Sequence, residues 1–166
     1  MAAGTVIRSF ACPSTGSRGL AWDGRKLWLG DNVTDLIYQI DPATGTVIRS
    51  FAGPAGAPGG LAWDGRTLWI SDTDTDLIYQ IDPVTGTVIR SFAAPNGSVV
   101  GLAWDGRTLW AGDNVTTLLY QVDPATGTVI RSVDPGTVSP RGVAFDGRTM
   151  WVSDLAAALI NQVSIV

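Results

Sequence analysis

The sequence predicts an all-β fold of four similar, four-stranded antiparallel sheets, and three observations carry that reading. The hexapeptide GTVIRS begins at Gly4, Gly45, Gly86 and Gly127, each copy 41 residues after the last. A second marker keeps the same step, with GLAWDGR at 19, 60 and 101 and its variant GVAFDGR at 142. The third is compositional: all 15 acidic residues are Asp, the basic ones are ten Arg plus Lys26, and Val, Ile, Thr and Trp stand between clusters of Gly, Pro and Asp. Strong helix formers are therefore scarce, and strand and turn formers abundant. Repeats 4–44, 45–85, 86–126 and 127–166 tile the chain as a single domain, because a unit that cannot bury its apolar surface alone must stack on its neighbours.

Within the unit from Gly60 to Phe92, four short runs are rich in β-branched or aromatic residues: 61–63, 68–71, 77–81 and 87–92. Asp64-Gly65 separates the first two and predicts a two-residue hairpin turn, since this dipeptide tolerates positive φ. Asp82-Pro83-Val84-Thr85-Gly86 separates the last two. Its Asp can accept backbone hydrogen bonds, its Pro presets φ and its Gly supplies a left-handed exit, so this too reads as a hairpin.

The faces of these strands decide how the sheets pack. Leu61 and Trp63 point one way with Ala62 opposite, and Leu68 and Ile70 oppose Trp69, so neither face is polar. Antiparallel strands of this kind are sandwiched between other sheets, and only the fourth run, with Arg90 and Ser91, has the polarity of an outer edge. Four-stranded sheets packed face to face about an axis make a β-propeller, whereas solenoid repeats are usually shorter or carry helices.

The pattern GLAWDGRTLWISD...DLIYQIDPxTGTVIRSF resembles the blades of NHL-type and YncE-like (YVTN) propellers, a group that includes the streptogramin lyase and gluconolactonase-like proteins. The DPxTG turn also resembles quinoprotein-type repeats. The resemblance covers essentially the whole chain and implies the propeller fold and an extracytoplasmic bacterial setting. Propellers serve as enzymes, ligand binders and protein platforms, so it does not select an activity. Streptogramin lyases use a catalytic His and gluconolactonase-like enzymes a Glu-containing metal site, and this sequence has neither His nor Glu.

The phase of the repeats predicts how the ring is sealed. An outer strand at 5–10 precedes the first GLAWDGR, and 159–166 stands in the place of a third strand with no outer strand after it. The N-terminal strand is expected to fill that gap, leaving no open edge. Four blades closing within one chain and two chains exchanging end strands to make eight blades both fit. Trp in the first and second strands opposes the steep taper that four blades need, which favours an eight-bladed homodimer.

Differences among the copies gather in two segments expected on one face, around the mouth of the channel. One links the outer strand to the next inner strand: ACPSTGSR, AGPAGAPG, AAPNGSVV and DPGTVSPR. The other links the second and third strands: DNVTD, DTDTD, DNVTT and DLAAA. Asp31, Asn32, Asp113, Asn114 and Asp154 are the candidate residues of this face, where a glycan, peptide or protein would bind, against the plainer reading of loop drift. The Asp opening each loop, at 31, 72, 113 and 154, is expected to cap loop amides. Asp72, Asp74 and Asp76 alternate carboxylates that could coordinate calcium, although the glycine and terminal Glu of an EF-hand loop are missing. Trp22, Trp63 and Trp104, with Phe145 in the fourth copy, read as core between blades, and Arg25, Arg66, Arg107 and Arg148 as surface residues flanking hairpins.

Charge and chemistry narrow the function further. A net charge of −4 with dispersed Arg argues against nucleic acid. No apolar run of about 20 residues or signal peptide stands out, so no membrane partner is expected. Cys12 is the sole cysteine, which excludes an intrachain disulfide. Without His or Glu, nucleophilic triads and His-based zinc sites are excluded, so no enzymatic activity and no cofactor are expected. Odd copies share GDNVT and even copies SD, a trace of duplication. The sequence thus reads as a self-assembling scaffold, recently amplified or consensus-like and engineered, or else as a bacterial surface or secreted binding module, ahead of a lyase- or lactonase-like enzyme, which the missing His and Glu oppose.

Overall fold

The computed structural model describes residues 6–165. It is an all-β propeller of four antiparallel blades that follow one another around a central channel. The first blade is β1 (Ser17–Trp22), β2 (Leu27–Asp31), β3 (Leu36–Ile40) and β4 (Val47–Ala52). The second is β5 (Pro58–Trp63), β6 (Leu68–Asp72), β7 (Leu77–Ile81) and β8 (Val88–Ala93). The third is β9 (Val99–Trp104), β10 (Leu109–Asp113), β11 (Leu119–Val122) and β12 (Val129–Val133). The fourth sheet has three strands, β13 (Pro140–Phe145), β14 (Met150–Asp154) and β15 (Leu159–Val163). Each innermost strand packs on the next, β1 on β5, β5 on β9 and β9 on β13.

The first hairpin forms in all four blades and the second in the three blades that have a fourth strand, but the first turn is longer than the expected two residues. Trp63 pairs with Leu68, so Asp64, Gly65, Arg66 and Thr67 all lie in the connection. The Asp64 carboxylate organises it. Its Oδ1 accepts from the Arg66 and Thr67 amides, and its Oδ2 from the Thr67 hydroxyl and the Trp69 indole, at 2.6–2.8 Å. Only Gly65 needs positive φ, at 96°. The indole bond recurs in every blade, from Trp28 to Asp23, Trp110 to Asp105 and Trp151 to Asp146. A buried indole N–H must find an acceptor, and this Asp supplies one while shaping the turn.

Three apolar layers lie between consecutive blades. Ala21, Trp28 and Ile37 of the first blade meet Leu61, Leu68, Ile70, Tyr79 and Ile81 of the second, and equivalent residues build the next two layers. The innermost strands approach closely enough that a Cβ on Gly60 would stand 2.5 Å from the Leu102 nitrogen. At the rim, the Arg of each GTVIRS ties its outer strand to the following blade. Arg49 donates to the Pro83 and Val84 carbonyls, Arg90 to Ala125 and Arg131 to Ile165. Arg49 and Arg131 also lie over the rings of Trp28 and Trp110, 5.4 Å from each centroid.

Closure by the N-terminal strand does not form within one chain. Residues 6–10 form no strand and do not complete the fourth sheet; Thr5 and Val166, the ends of the two expected strands, lie outside the described residues. The N-terminal segment lies instead against the first blade. Arg8 donates to the Pro42 carbonyl at 2.9 Å, and a Cβ on Gly45 would strike the Phe10 ring. These contacts repeat, 41 residues earlier, those of Arg49 with Pro83 and Phe51 with Gly86. The segment thus takes the place of an outer strand belonging to a blade that would precede the first, because the Asp-Pro turn it grips is on its own chain.

The ring accordingly has a seam between its last and first blades. Leu20 is 59% exposed, whereas Leu61 and Leu102 at the same position are 4% exposed. On the last blade Ile160 is 72% exposed, whereas its counterparts Ile37 and Ile78 are fully buried. Trp22 and Trp151 are exposed on the same two faces. A Cβ on Gly142 would meet only its own blade, at Ser153 Oγ, whereas one on Gly101 would run into the Arg141 carbonyl of the following blade.

Candidate functional site

The two variable loop types come together on one face. The amides of Asn32, Thr73, Asn114 and Leu155 donate to the carbonyls of Gly16, Ala57, Ser98 and Ser139, stitching each loop between the second and third strands to the loop entering the innermost strand. Beneath them lies a cavity of ≈590 Å³ lined by the innermost strands of all four blades.

The loop-opening Asp residues are structural. Asp31, Asp72, Asp113 and Asp154 are buried. Asp72 Oδ1 accepts from the Asp74 and Thr75 amides and the Thr75 hydroxyl, while Oδ2 accepts from the Ala57 amide. Asp113 repeats this with Val115, Thr116 and Ser98, and Asp154 with Ala156, Ala157 and Val138. Asp31 differs: it holds Val33 and Thr34 through Oδ1, but its Oδ2 receives no loop amide, because the Gly16 amide turns to Ser14 Oγ.

The proposed calcium ligands are not brought together. Asp72 is committed to its loop, Asp74 faces Gly56 and Asp76 faces Gly97. Among the described residues no group of three or more Asp or Cys side chains has the geometry to hold a metal ion. Alternation along a chain spreads carboxylates over a turn unless the turn folds inward, and Asp76 at φ 56° turns this one outward into β7.

Asn32 and Asn114 do line the cavity, and beside them stand two residues that the sequence reading passed over, Arg18 and Arg141. With its amide oxygen turned toward Arg18, Asn32 accepts from Nε at 3.2 Å and from a terminal nitrogen at 3.0 Å, while its nitrogen donates to the Gly16 carbonyl at 2.9 Å. Asn114, turned likewise, accepts from Arg141 at 3.2 Å and donates to the Ser98 carbonyl at 3.1 Å. The signal was available in the repeat: the residue before the GLAW glycine is Arg18, Gly59, Val100 and Arg141, so arginine occurs there in the first and last copies only.

Asp31, Asp64, Asp105, Asp113, Asp146 and Asp154, all of which shape turns or loops, are held below their ordinary range. Burial pushes Asp64 and Asp105 up, but hydrogen bonds from Thr67, Arg66 and Trp69, and from Thr108, Trp110 and Arg107, more than offset it. Burial is likewise overcome at Asp31 by Thr34, Ser14 and Val33, and at Asp113 by Thr116, Asn96 and Val115. At Asp146 the Thr149 amide leads the lowering, and at Asp154 the Val138 amide. A carboxylate whose folded pKa lies below its unfolded value of 3.8 stabilises the fold above that pH, and the contribution is lost as pH falls through the folded values. With no His to titrate, guanidinium denaturation midpoints should agree at pH 7 and pH 5 and fall clearly at pH 3; a step between 7 and 5 would contradict this assignment.

No family model matches the chain, and no curated protein matches its sequence. Solved structures do. Glutaminyl cyclase from Myxococcus xanthus superposes with a TM-score of 0.75 at 18% identity, over 89% of this chain and 71% of that one. The computationally designed Ika4 protein gives 0.66 at 17% identity, over 99% of this chain and 100% of the design. A catalytically inactive virginiamycin B lyase from Staphylococcus aureus, with quinupristin, gives 0.65 at 18% identity, and this chain spans 58% of its length. At such identities the likeness is one of architecture, and the architecture shared with these structures is the β-propeller.

Proposed function

We propose that this protein is a non-enzymatic scaffold, an NHL-like or YncE-like repeat propeller in which two copies of the chain assemble into an eight-bladed ring. One observation carries the reading: the two faces open at the seam are the two halves of the interface that the chain uses three times internally. Leu20 and Trp22 belong to the surface that receives a preceding blade, and Trp151 and Ile160 to the surface that meets a following one. A heterologous contact of this kind closes when the rotation it imposes divides the circle, here in two.

The displaced N-terminal segment supports the same assembly. The registers Ile37 with Phe51 and Gln39 with Arg49, carried along the 41-residue period, pair Ile160 with Phe10 and Gln162 with Arg8 of a second copy. That copy's segment would become the fourth strand on β15 and remove an open sheet edge. The full-length design Ika4 has the same extent, and the designed Ika8 also resembles this chain, with a TM-score of 0.64 over 46% of its length. Both are compatible with a chain whose property is symmetric construction. The non-enzymatic part rests on chemistry: the shifted Asp residues stay ionised at neutral pH, so they are poor proton carriers there.

Light scattering coupled to size-exclusion chromatography tests the assembly. The expected mass is twice the 17.4 kDa of the chain. A single species at the chain mass, at micromolar concentration, would overturn it.

A further inference from the structure

We infer that the channel is a binding site for small oxyanions, a carboxylate or a phosphate group, held between Arg18 and Arg141. The cavity is of ligand size, ≈590 Å³, and its charged lining residues are these two arginines alone, with no Asp among them. That is a reversal of local sign in a chain carrying 15 Asp and a net charge of −4. Among the described residues the one ion pair is Lys26 with Asp41, at the opposite face, so no carboxylate neutralises either guanidinium.

What holds the arginines instead is neutral. Asn32 and Asn114 present amide oxygens that fix each guanidinium and leave it donors to spare. Arg141 Nε is buried with no acceptor, an unmet donor at the cavity wall. The carboxylates behind the two asparagines, Asp31 and Asp113, are buried in their loops and turned to loop amides. A concave wall bearing one sign of charge focuses its field into the cavity, and charge-assisted bonds from Arg suit the paired oxygens of a carboxylate or phosphate. Ser98 and the half-polar lining allow a second, weaker set of contacts.

The site stands in one chain; in a two-chain ring each seam would again hold one Arg141 and one Arg18, now from different protomers, so the positive charge at a seam is unchanged. Isothermal titration of the full chain at low salt, with citrate and separately with inorganic phosphate, tests it. At least one probe should bind, citrate alone marking a carboxylate site and phosphate alone a phosphate site, with affinity falling as salt rises. Arg18→Gln and Arg141→Gln should each weaken binding at least tenfold, while Arg107→Gln, the same charge change on an exposed hairpin at the opposite face, should leave it unchanged. Intrinsic Trp fluorescence confirms that each variant is folded. No heat with either probe, or equal weakening by all three variants, would overturn the site. Scattering on the same samples keeps this result separate from that on assembly.

Discussion

Ile160→Asp is expected to convert a two-chain particle into folded 17.4 kDa monomers. In the chain alone Ile160 is 72% exposed, so a carboxylate there stays hydrated and the fold should tolerate it. In the ring the same position is that of Ile37 and Ile78, which are fully buried between blades. An unpaired charge placed there costs about 3–5 kcal/mol, at each of the two symmetric seams. Ile78→Asp is the contrasting variant: the same substitution at a layer inside the chain should prevent folding rather than assembly. Chromatography with scattering reads the mass, and circular dichroism the fold. An Ile160→Asp protein that keeps the doubled mass would show that copies meet elsewhere.

Trp110→Ala should be the most damaging conservative truncation, costing about 4 kcal/mol. Its ring is fully buried in the layer between the third and fourth blades, against Met150 and Val152. Three interactions are lost at once: apolar burial, the 2.8 Å bond from Nε1 to Asp105 and the Arg131 guanidinium over the ring. Trp151→Ala removes an indole with the same bond to an Asp, Asp146, but among the described residues no guanidinium lies over it and its ring is 38% exposed, so the isolated chain should lose much less. Guanidinium denaturation of both variants in an Ile160→Asp background, where assembly no longer contributes, measures the difference. Equal losses would mean that the seam is already covered within one chain.

The blades were legible in the sequence because repetition averages out local ambiguity. Four copies of the same two hairpins leave little freedom in period or strand count, and the apolar character of both faces in 61–63 and 68–71 indicated sandwiched sheets. Turn geometry was less legible. Asp64-Gly65 looks like a two-residue turn, but the Thr67 and Trp69 donors to Asp64 become visible only once the strands are aligned. Closure was only partly legible, because a strand's sequence tells which position it fills in a blade, not which blade or which copy of the chain it fills. The channel site was missed for a related reason. Arg18 and Arg141 are 123 positions apart, sit at the edge of the near-invariant GLAW segment, and acquire meaning only where the strands converge and the Asp residues turn away.

The rim contacts made by the GTVIRS arginines also bear on how the molecule folds. Every strand pair lies within one blade, and the extensive contacts between blades join consecutive ones, with Arg49, Arg90 and Arg131 each reaching about 34 residues forward. Folding such an object resembles a one-dimensional zipper: any blade can nucleate from its own hairpins, and growth proceeds by adding a neighbour whose turn is then gripped by the arginine already in place. The arginine makes that coupling directional. A blade that is formed reaches out to hold the blade that follows it.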